Sequence, residues 1–102
     1  MKNELKKKNI AILGSTGSIG TQALEVIRRN KNYFSVEVLT TNSNAELLIA
    51  QAKEFKPNAV VICDETKYQI VKDALEKDFV KVFCGSESVS QVVSIDEIDI
   101  VL

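Results

Sequence analysis

Residues 10–20 read Ile10-Ala11-Ile12-Leu13-Gly14-Ser15-Thr16-Gly17-Ser18-Ile19-Gly20. The four apolar residues at the start are typical of a buried strand, and three glycines then follow at intervals of three. Apolar residues recur at helical spacing directly afterwards, at Ala23, Leu24 and Ile27. The stretch therefore predicts a strand, a glycine turn and a helix, which is the context in which a glycine motif indicates a ligand site.

The glycine turn has the chemistry of a phosphate-binding loop. Gly14 would let the chain leave the strand in a tight turn, Gly17 would let a phosphate approach the backbone, and Gly20 would let the helix pack closely. The first turn of the helix adds N–H groups and the positive end of its dipole. Three hydroxyl donors are also available, on Ser15, Thr16 and Ser18. This pattern favours a pyrophosphate ligand over the alternative, a strand-to-helix turn that binds nothing.

Strands and helices alternate along the rest of the chain. The predicted strands are residues 9–13, 34–40, 59–62, 80–83 and 98–102. The predicted helices are residues 18–30 and 45–55, a third helix that begins at Asp64 or Glu65, and a short helix over 87–93. This alternation predicts the α/β class, with a Rossmann-like, doubly wound, mainly parallel sheet and helices on both faces.

The composition is that of an ordinary globular domain. The chain has 102 residues, of which 45% are hydrophobic and 26% charged, enough for one domain with a modest core. The formal net charge of −1 gives no overall field that would favour nucleic acid or an anionic membrane. The polar residues 1–9 lack the apolar core of a signal peptide, and no apolar run has membrane-spanning length. We therefore expect a cytoplasmic protein that binds neither nucleic acid nor membranes.

Few side chains suit catalysis or metal binding. The sequence contains no histidine, which removes the commonest general base and transition-metal ligand. Cys63 and Cys84 do not form a C-x-x-C pair and are expected to stay reduced. Tyr68 and Lys72 match the Y-x-x-x-K pair of short-chain dehydrogenases, but that pair comes much later in those enzymes, so we interpret them as helix neighbours. The sequence thus gives no catalytic residue and no metal ligand.

The loop after the second predicted strand bears on the choice of dinucleotide. In a dinucleotide-binding fold, an Asp or Glu at this point pairs with the ribose 2′-hydroxyl of NAD. Here the loop reads Thr40-Thr41-Asn42-Ser43-Asn44 and contains no acid. Its hydroxyl and amide groups can donate to a 2′-phosphate, although the nearest base downstream is Lys53. The loop favours NADP over NAD, and the alternative is a polar turn that only caps the next helix.

The glycine stretch resembles the amino-terminal signature of the 1-deoxy-D-xylulose 5-phosphate reductoisomerase family. In that family the hexad G-S-T-G-S-I is followed by Gly and a helix of the type T-L-D-V-I-R, and residues 21–28 here read T-Q-A-L-E-V-I-R. The similarity continues through the strand at Phe34, the break at 55–57 and the segment 99–101. It spans essentially the whole chain, and the first motif is the specific one.

The resemblance implies that two segments contact NADPH. One is the glycine turn, around the phosphates, and the other is the loop at the adenosine end. The cofactor residues implied by the motif and by the resemblance are Gly14, Thr16, Gly17, Ser18, Ile19, Asn42, Ser43 and Asn44. The family usually has A-G-x-N in the loop, so Asn42 replaces a glycine. Asparagine tolerates a left-handed backbone better than most residues, and we expect the turn to survive.

The resemblance also implies an activity for the full-length protein. The family enzymes isomerise 1-deoxy-D-xylulose 5-phosphate and reduce the resulting aldehyde with NADPH to 2-C-methyl-D-erythritol 4-phosphate, an isoprenoid precursor. They need Mg²⁺ or Mn²⁺, and the full-length protein would bind this phosphosugar and form a homodimer. Because the sequence ends inside an apolar strand, we expect residues 1–102 to be the NADPH-binding domain of a longer protein, with metal ligands and catalytic residues beyond Leu102.

Two alternatives remain open at this point. The G-x-x-G-x-x-G spacing also occurs in extended short-chain dehydrogenases and in semialdehyde-type NADP-dependent dehydrogenases. A non-catalytic domain that senses NADP would need the same turn and no reactive side chains.

Overall fold

The computed structural model describes residues 6–94 and 97–102, so part of the polar amino-terminal segment, residues 1–5, lies outside the described residues. The strands are β1 (Lys8–Ile12), β2 (Phe34–Thr41), β3 (Ala59–Ile62), β4 (Lys81–Cys84) and β5 (Ile100–Val101). The α-helices are α1 (Ser18–Arg28), α2 (Ala45–Phe55), α3 (Tyr68–Ala74) and α4 (Glu87–Val93). Single turns of 3₁₀ helix precede and follow α3, at Glu65–Lys67 and Glu76–Asp78.

The strands form one parallel sheet with the order β4-β3-β2-β1-β5. The chain steps outward in one direction from β1 to β4 and then crosses back to place β5 on the other side of β1. Because such crossovers are right-handed, the first three helices must lie on one face and α4 on the other. The predicted doubly wound α/β fold with helices on both faces is therefore confirmed.

The two faces carry separate apolar clusters. On the first face, side chains of α1, α2 and α3 pack on the sheet through Leu24, Leu48 and Val71. On the second face, Val92 of α4 packs against a smaller patch formed by Ala11, Val38 and Val61. All four residues of β3 are buried, as expected for a parallel strand that is covered on both sides.

A bulge interrupts the pairing of β1 with β2. The register passes from Ile10 opposite Val36 to Ala11 opposite Val38, which leaves Glu37 as the extra residue. Val36 therefore packs on the first face and Val38 on the second, although they are two residues apart. Burial, followed by the nearby Glu97 carboxylate, raises the pKa of Glu37 above its usual value.

Some element boundaries differ from the predictions, and each difference has a local cause. The helix α1 ends at Arg28 rather than at residue 30, because the Asn30 side chain donates to the Val26 carbonyl oxygen at 2.7 Å and closes the last turn. Asp64 opens a 3₁₀ turn rather than α3 itself, by accepting from the Thr66 N–H at 3.0 Å. In the described residues, none of the helices is both apolar enough and long enough to cross a membrane.

Candidate functional site

The glycine turn and the loop 41–44 meet at the carboxyl edge of the sheet, where β1 and β2 end side by side. The Gly14 N–H donates to Thr40 Oγ1 at 3.0 Å, and the Ser15 N–H donates to the Thr40 carbonyl oxygen at 2.8 Å. The hydroxyls of Thr16 and Thr41 share a hydrogen bond of 2.6 Å. In open α/β sheets, ligands bind outside this edge at the point where the strand order reverses, here between β1 and β5.

The three glycines of the turn serve three different purposes. Gly14 has a φ of +70°, a backbone conformation that side chains disfavour, although a Cβ there would meet nothing within 4 Å. At Gly20 a Cβ would lie 2.3 Å from the Gly14 carbonyl oxygen and 2.6 Å from Ser15 Cα, so the residue must be glycine for α1 to pack on the turn. At Gly17 a Cβ would make only one ordinary contact, 3.6 Å from the Gly14 carbonyl oxygen, and φ is −82°. The fold therefore does not require glycine at position 17.

The first turn of α1 is open to an anion. Its first intrahelical bond joins the Thr21 N–H to the Gly17 carbonyl oxygen at 2.9 Å, so the N–H groups of Ser18, Ile19 and Gly20 precede the helical ladder. The first turn contains no acidic residue, and Gly17, Ser18 and Ile19 are exposed. The Ile19 side chain is 83% exposed. These features match the chemistry of a pyrophosphate site at a helix start.

The expectation that Ser15 offers its hydroxyl to a ligand is wrong. Ser15 is fully buried, and its Oγ donates to Gln51 Oε1 at 2.7 Å. The Gln51 amide returns a hydrogen bond from Nε2 to the Ser15 carbonyl oxygen at 2.9 Å. Sequence reasoning missed Gln51. The one signal for its role was its position on the buried side of α2, beside Ala52 and three residues after Leu48. This pair fixes the turn to α2 from inside the protein.

The loop 41–44 is exposed at Asn42, Ser43 and Asn44. Asn44 caps α2, because its Oδ1 accepts from the Leu47 N–H at 3.2 Å, and this leaves its amide group for another partner. Asn42 does not need a left-handed backbone, since the non-glycine residues with positive φ in the described ranges are Lys56 and Phe79. The family glycine is thus replaced without the backbone conformation that we expected.

The loop 41–44 contains no lysine, but the connection after β3 brings one close to it. A cavity of about 360 Å³ lies between the loop and α3, and its lining includes Ser43, Asn44 and Lys67. Lys53, the nearest base in sequence, instead binds Asp78 Oδ2 at 3.0 Å. Sequence reasoning missed Lys67 because the residue is 23 positions beyond Asn44 and reaches the loop only through the pairing of β2 with β3.

An apolar groove flanks the other side of the glycine turn. It has a volume of about 310 Å³ and lies beside β5, with Leu13, Ile19, Val26 and Leu102 in its lining. The Leu13 N–H donates to the Leu102 carbonyl oxygen at 3.1 Å, which sets this edge of the groove. The site is therefore polar on the side of the loop 41–44 and apolar on the side of β5.

Tyr68 and Lys72 are both on α3, and neither lines the cavity beside the loop 41–44 or the apolar groove. The Lys72 ammonium is 5.9 Å from the centre of the Tyr68 ring, as expected for side chains one helical turn apart. Cys63 and Cys84 are both unbridged, and they pack on opposite faces of the sheet.

Comparison with known proteins gives consistent results. A family model described as 1-deoxy-D-xylulose 5-phosphate reductoisomerase matches residues 10–102. A relative of that name from Bacteroides fragilis is 54% identical over 100 residues, which are 98% of this chain and 26% of the relative. One from Porphyromonas gingivalis is 50% identical over 96 residues, or 94% of this chain and 25% of the relative. The chain thus spans about a quarter of the length of the curated relatives it matches.

Solved structures agree with the sequence matches. The reductoisomerase from Zymomonas mobilis in complex with NADPH has a TM-score of 0.86 and 30% identity, covering 90% of this chain and 24% of that one. A reductoisomerase in complex with magnesium has a TM-score of 0.85 and 28% identity, covering 94% of this chain and 24% of that one. The resemblance seen in the glycine stretch is confirmed, and the chain belongs to the 1-deoxy-D-xylulose 5-phosphate reductoisomerase family.

Proposed function

We propose that this chain is the NADPH-binding portion of an enzyme that converts 1-deoxy-D-xylulose 5-phosphate to 2-C-methyl-D-erythritol 4-phosphate. The observation that carries the proposal is the glycine turn at the reversal of strand order, with Gly17 at a position where the fold itself tolerates a side chain. A close ligand gives a reason for glycine there. The names of the relatives, and the NADPH in a related structure, support the same function.

The pyrophosphate of NADPH would bind at the glycine turn. Gly14 sets the turn, and Gly17 leaves the backbone open. The N–H groups at the start of α1 would donate to the phosphate oxygens, together with the hydroxyls of Thr16 and Ser18, and Ile19 would lie beside them. The Thr16 hydroxyl already bonds to Thr41, so that pair would orient one donor toward the ligand.

The adenosine end would bind at the loop 41–44. Asn42, Ser43 and Asn44 are exposed there, and the end of β3 holds the loop through the Asp64 N–H, which donates to the Asn42 carbonyl oxygen at 2.8 Å. The loop has no carboxylate that would repel a 2′-phosphate. NADPH would supply the hydride, and the residues of this chain would hold and orient the cofactor.

The remaining chemistry is assigned to other parts of the full-length protein. No group of three or more His, Cys, Asp or Glu side chains in residues 6–94 and 97–102 is arranged to hold a metal ion. Related structures contain magnesium, and two of them also contain fosmidomycin. We propose that Mg²⁺ or Mn²⁺ and the phosphosugar bind beyond Leu102, that residues 1–102 form the cofactor domain, and that the full-length protein is a cytoplasmic homodimer. The family match disfavours the two alternative functions.

Replacement of Gly17 by valine tests the proposal. In the full-length protein, Gly17→Val should abolish NADPH binding because the side chain occupies the phosphate position, whereas the fold should persist because the site has room. Calorimetric titration with NADPH measures the first effect and a circular dichroism melt measures the second. Thr21→Val, which adds a valine one turn along α1, is the matched control and should bind NADPH normally. Unchanged NADPH affinity in folded Gly17→Val would refute the phosphate role.

A further inference from the structure

The cavity beside the loop 41–44 contains two charged side chains of opposite sign. Lys67 enters its lining from the connection after β3, and Glu46 enters from the first turn of α2. The other lining residues are uncharged and include Ser43, Asn44 and Ile70. Without the lysine, the only charged group in the lining of the cavity would be a carboxylate, which would repel an anion. Lys67 therefore decides whether this cavity can accept a phosphate.

The backbone of Lys67 is fixed relative to the loop. The N–H groups of Cys63 and Asp64 donate to the carbonyl oxygens of Thr41 and Asn42, at 3.0 and 2.8 Å. The Lys67 N–H then donates to the Asp64 carbonyl oxygen at 3.0 Å, in the 3₁₀ turn that Asp64 caps. A ligand in the cavity would need to order only the lysine side chain, which lowers the entropic cost of binding.

The Lys67 ammonium is available to a ligand. Within the described ranges it has no carboxylate oxygen within 4.0 Å. The nearby Asp64 carboxylate is engaged by Thr66, whose N–H and Oγ1 donate to Oδ1 at 3.0 and 2.6 Å. These bonds hold the pKa of Asp64 below its usual value. The Asp64 carboxylate thus has hydrogen-bond partners of its own, and Lys67 acts on it through its charge without an ion pair.

We propose that Lys67 is the residue that makes this site prefer NADPH over NADH, by binding the 2′-phosphate across the cavity from Ser43. This inference rests on the proposed function and names the source of its cofactor choice. An ammonium-to-phosphate hydrogen bond is charge-assisted, whereas NADH offers only a neutral 2′-hydroxyl at that position. The loop itself contains no base, so the discrimination would come from a residue outside it.

The test compares dinucleotides and shorter probes in the full-length protein. Dissociation constants are measured for NADPH, NADH, adenosine 2′,5′-bisphosphate and 5′-AMP by calorimetry. Lys67→Met should weaken NADPH and the bisphosphate about tenfold, the scale of one lost charged hydrogen bond, and leave NADH and 5′-AMP unchanged. Lys67→Arg should restore most of the affinity for NADPH. Lys77→Met removes an exposed lysine from the 3₁₀ turn after α3 and should leave all four constants unchanged.

A second variant should change the affinity for NADPH in the opposite direction. Glu46→Gln removes the opposing carboxylate and should tighten NADPH binding without changing NADH binding. An unchanged ratio of NADPH to NADH affinity in both Lys67→Met and Glu46→Gln overturns the role of Lys67 and leaves the proposed function standing. Failure of the wild-type protein to bind either dinucleotide overturns the proposed function and the role of Lys67 together.

Discussion

The glycine turn and the loop 41–44 lie at the same edge of the sheet but are held in different ways. The turn is fixed from inside, because Ser15 is fully buried and Gly20 has no space for a single carbon atom. The loop is exposed at Asn42, Ser43 and Asn44, and two backbone hydrogen bonds to the residues after β3 hold it. The conformation of the turn is therefore fixed by steric limits, whereas the position of the loop depends on hydrogen bonds from neighbouring residues.

This difference explains why the two segments vary differently from the family pattern. The turn keeps the complete hexad and the glycine after it, because a change at Gly14 or Gly20 would strain or displace the backbone of the turn. The loop carries Asn42 in place of a glycine without a left-handed backbone. In the proposed site, the turn binds the group common to all dinucleotides and the loop region selects among them. We therefore expect variants of the two segments to differ in their effects on stability and in their effects on cofactor choice.

The largest effect is expected at Gly20. Gly20→Ala places a Cβ 2.3 Å from the Gly14 carbonyl oxygen, so the helix α1 must move, and the free energy of unfolding should fall by about 3 kcal/mol. Chemical denaturation of this chain measures the loss. Gly17→Ala is the matched control, since its Cβ has an ordinary contact, and it should lose less than about 1 kcal/mol. Equal losses in the two variants would show that the turn is not limited by packing at Gly20.

A smaller loss is expected from the network behind the turn. Gln51→Ala leaves the buried Ser15 carbonyl oxygen without its amide donor and leaves the Ser15 hydroxyl only the Thr40 carbonyl oxygen at 3.3 Å, so the free energy of unfolding should fall by about 2 kcal/mol. Gln69→Ala is the control, because Gln69 bonds to Asp73 on the exposed surface of α3 and should contribute at most about 0.5 kcal/mol. Denaturation curves that coincide for the two variants would contradict the structural role of Gln51.

The parts of the fold that depend on local pattern were predictable from the sequence. Four consecutive apolar residues at 59–62 indicated a strand covered on both faces, and the strand, glycines and helix at 10–27 indicated the position of the turn. The bulge at Glu37 was not predictable. A polar residue between Val36 and Val38 matches ordinary strand alternation, so nothing in the pattern shows that the two valines pack on opposite faces.

The candidate site was predictable only where its residues are consecutive. The glycines form a motif along the chain, because the backbone conformation and close packing act within a few residues. The inward position of Ser15 and the approach of Lys67 to Ser43 depend on α2 and on the register of β2 against β3. A single sequence carries no direct record of such contacts, since each partner is an ordinary polar residue at its own position.

The smallest expected effect separates the two roles of Asn44. Asn44→Asp keeps a side-chain oxygen for the Leu47 N–H, and aspartate caps a helix as well as asparagine, so the stability of the chain should be retained. The added charge should nevertheless weaken NADPH relative to NADH by about 1 kcal/mol, the Coulomb energy of two charges near 4 Å in water. Asn44→Ala should instead lose about 1 kcal/mol of stability because the cap is missing. It adds no charge near the 2′-phosphate. Asn32→Asp, at an exposed position before β2 on the opposite edge, controls for net charge. If calorimetry and melting of the three variants showed that Asn44→Asp weakens NADPH and NADH equally, the proposed position of the 2′-phosphate beside Asn44 would be contradicted.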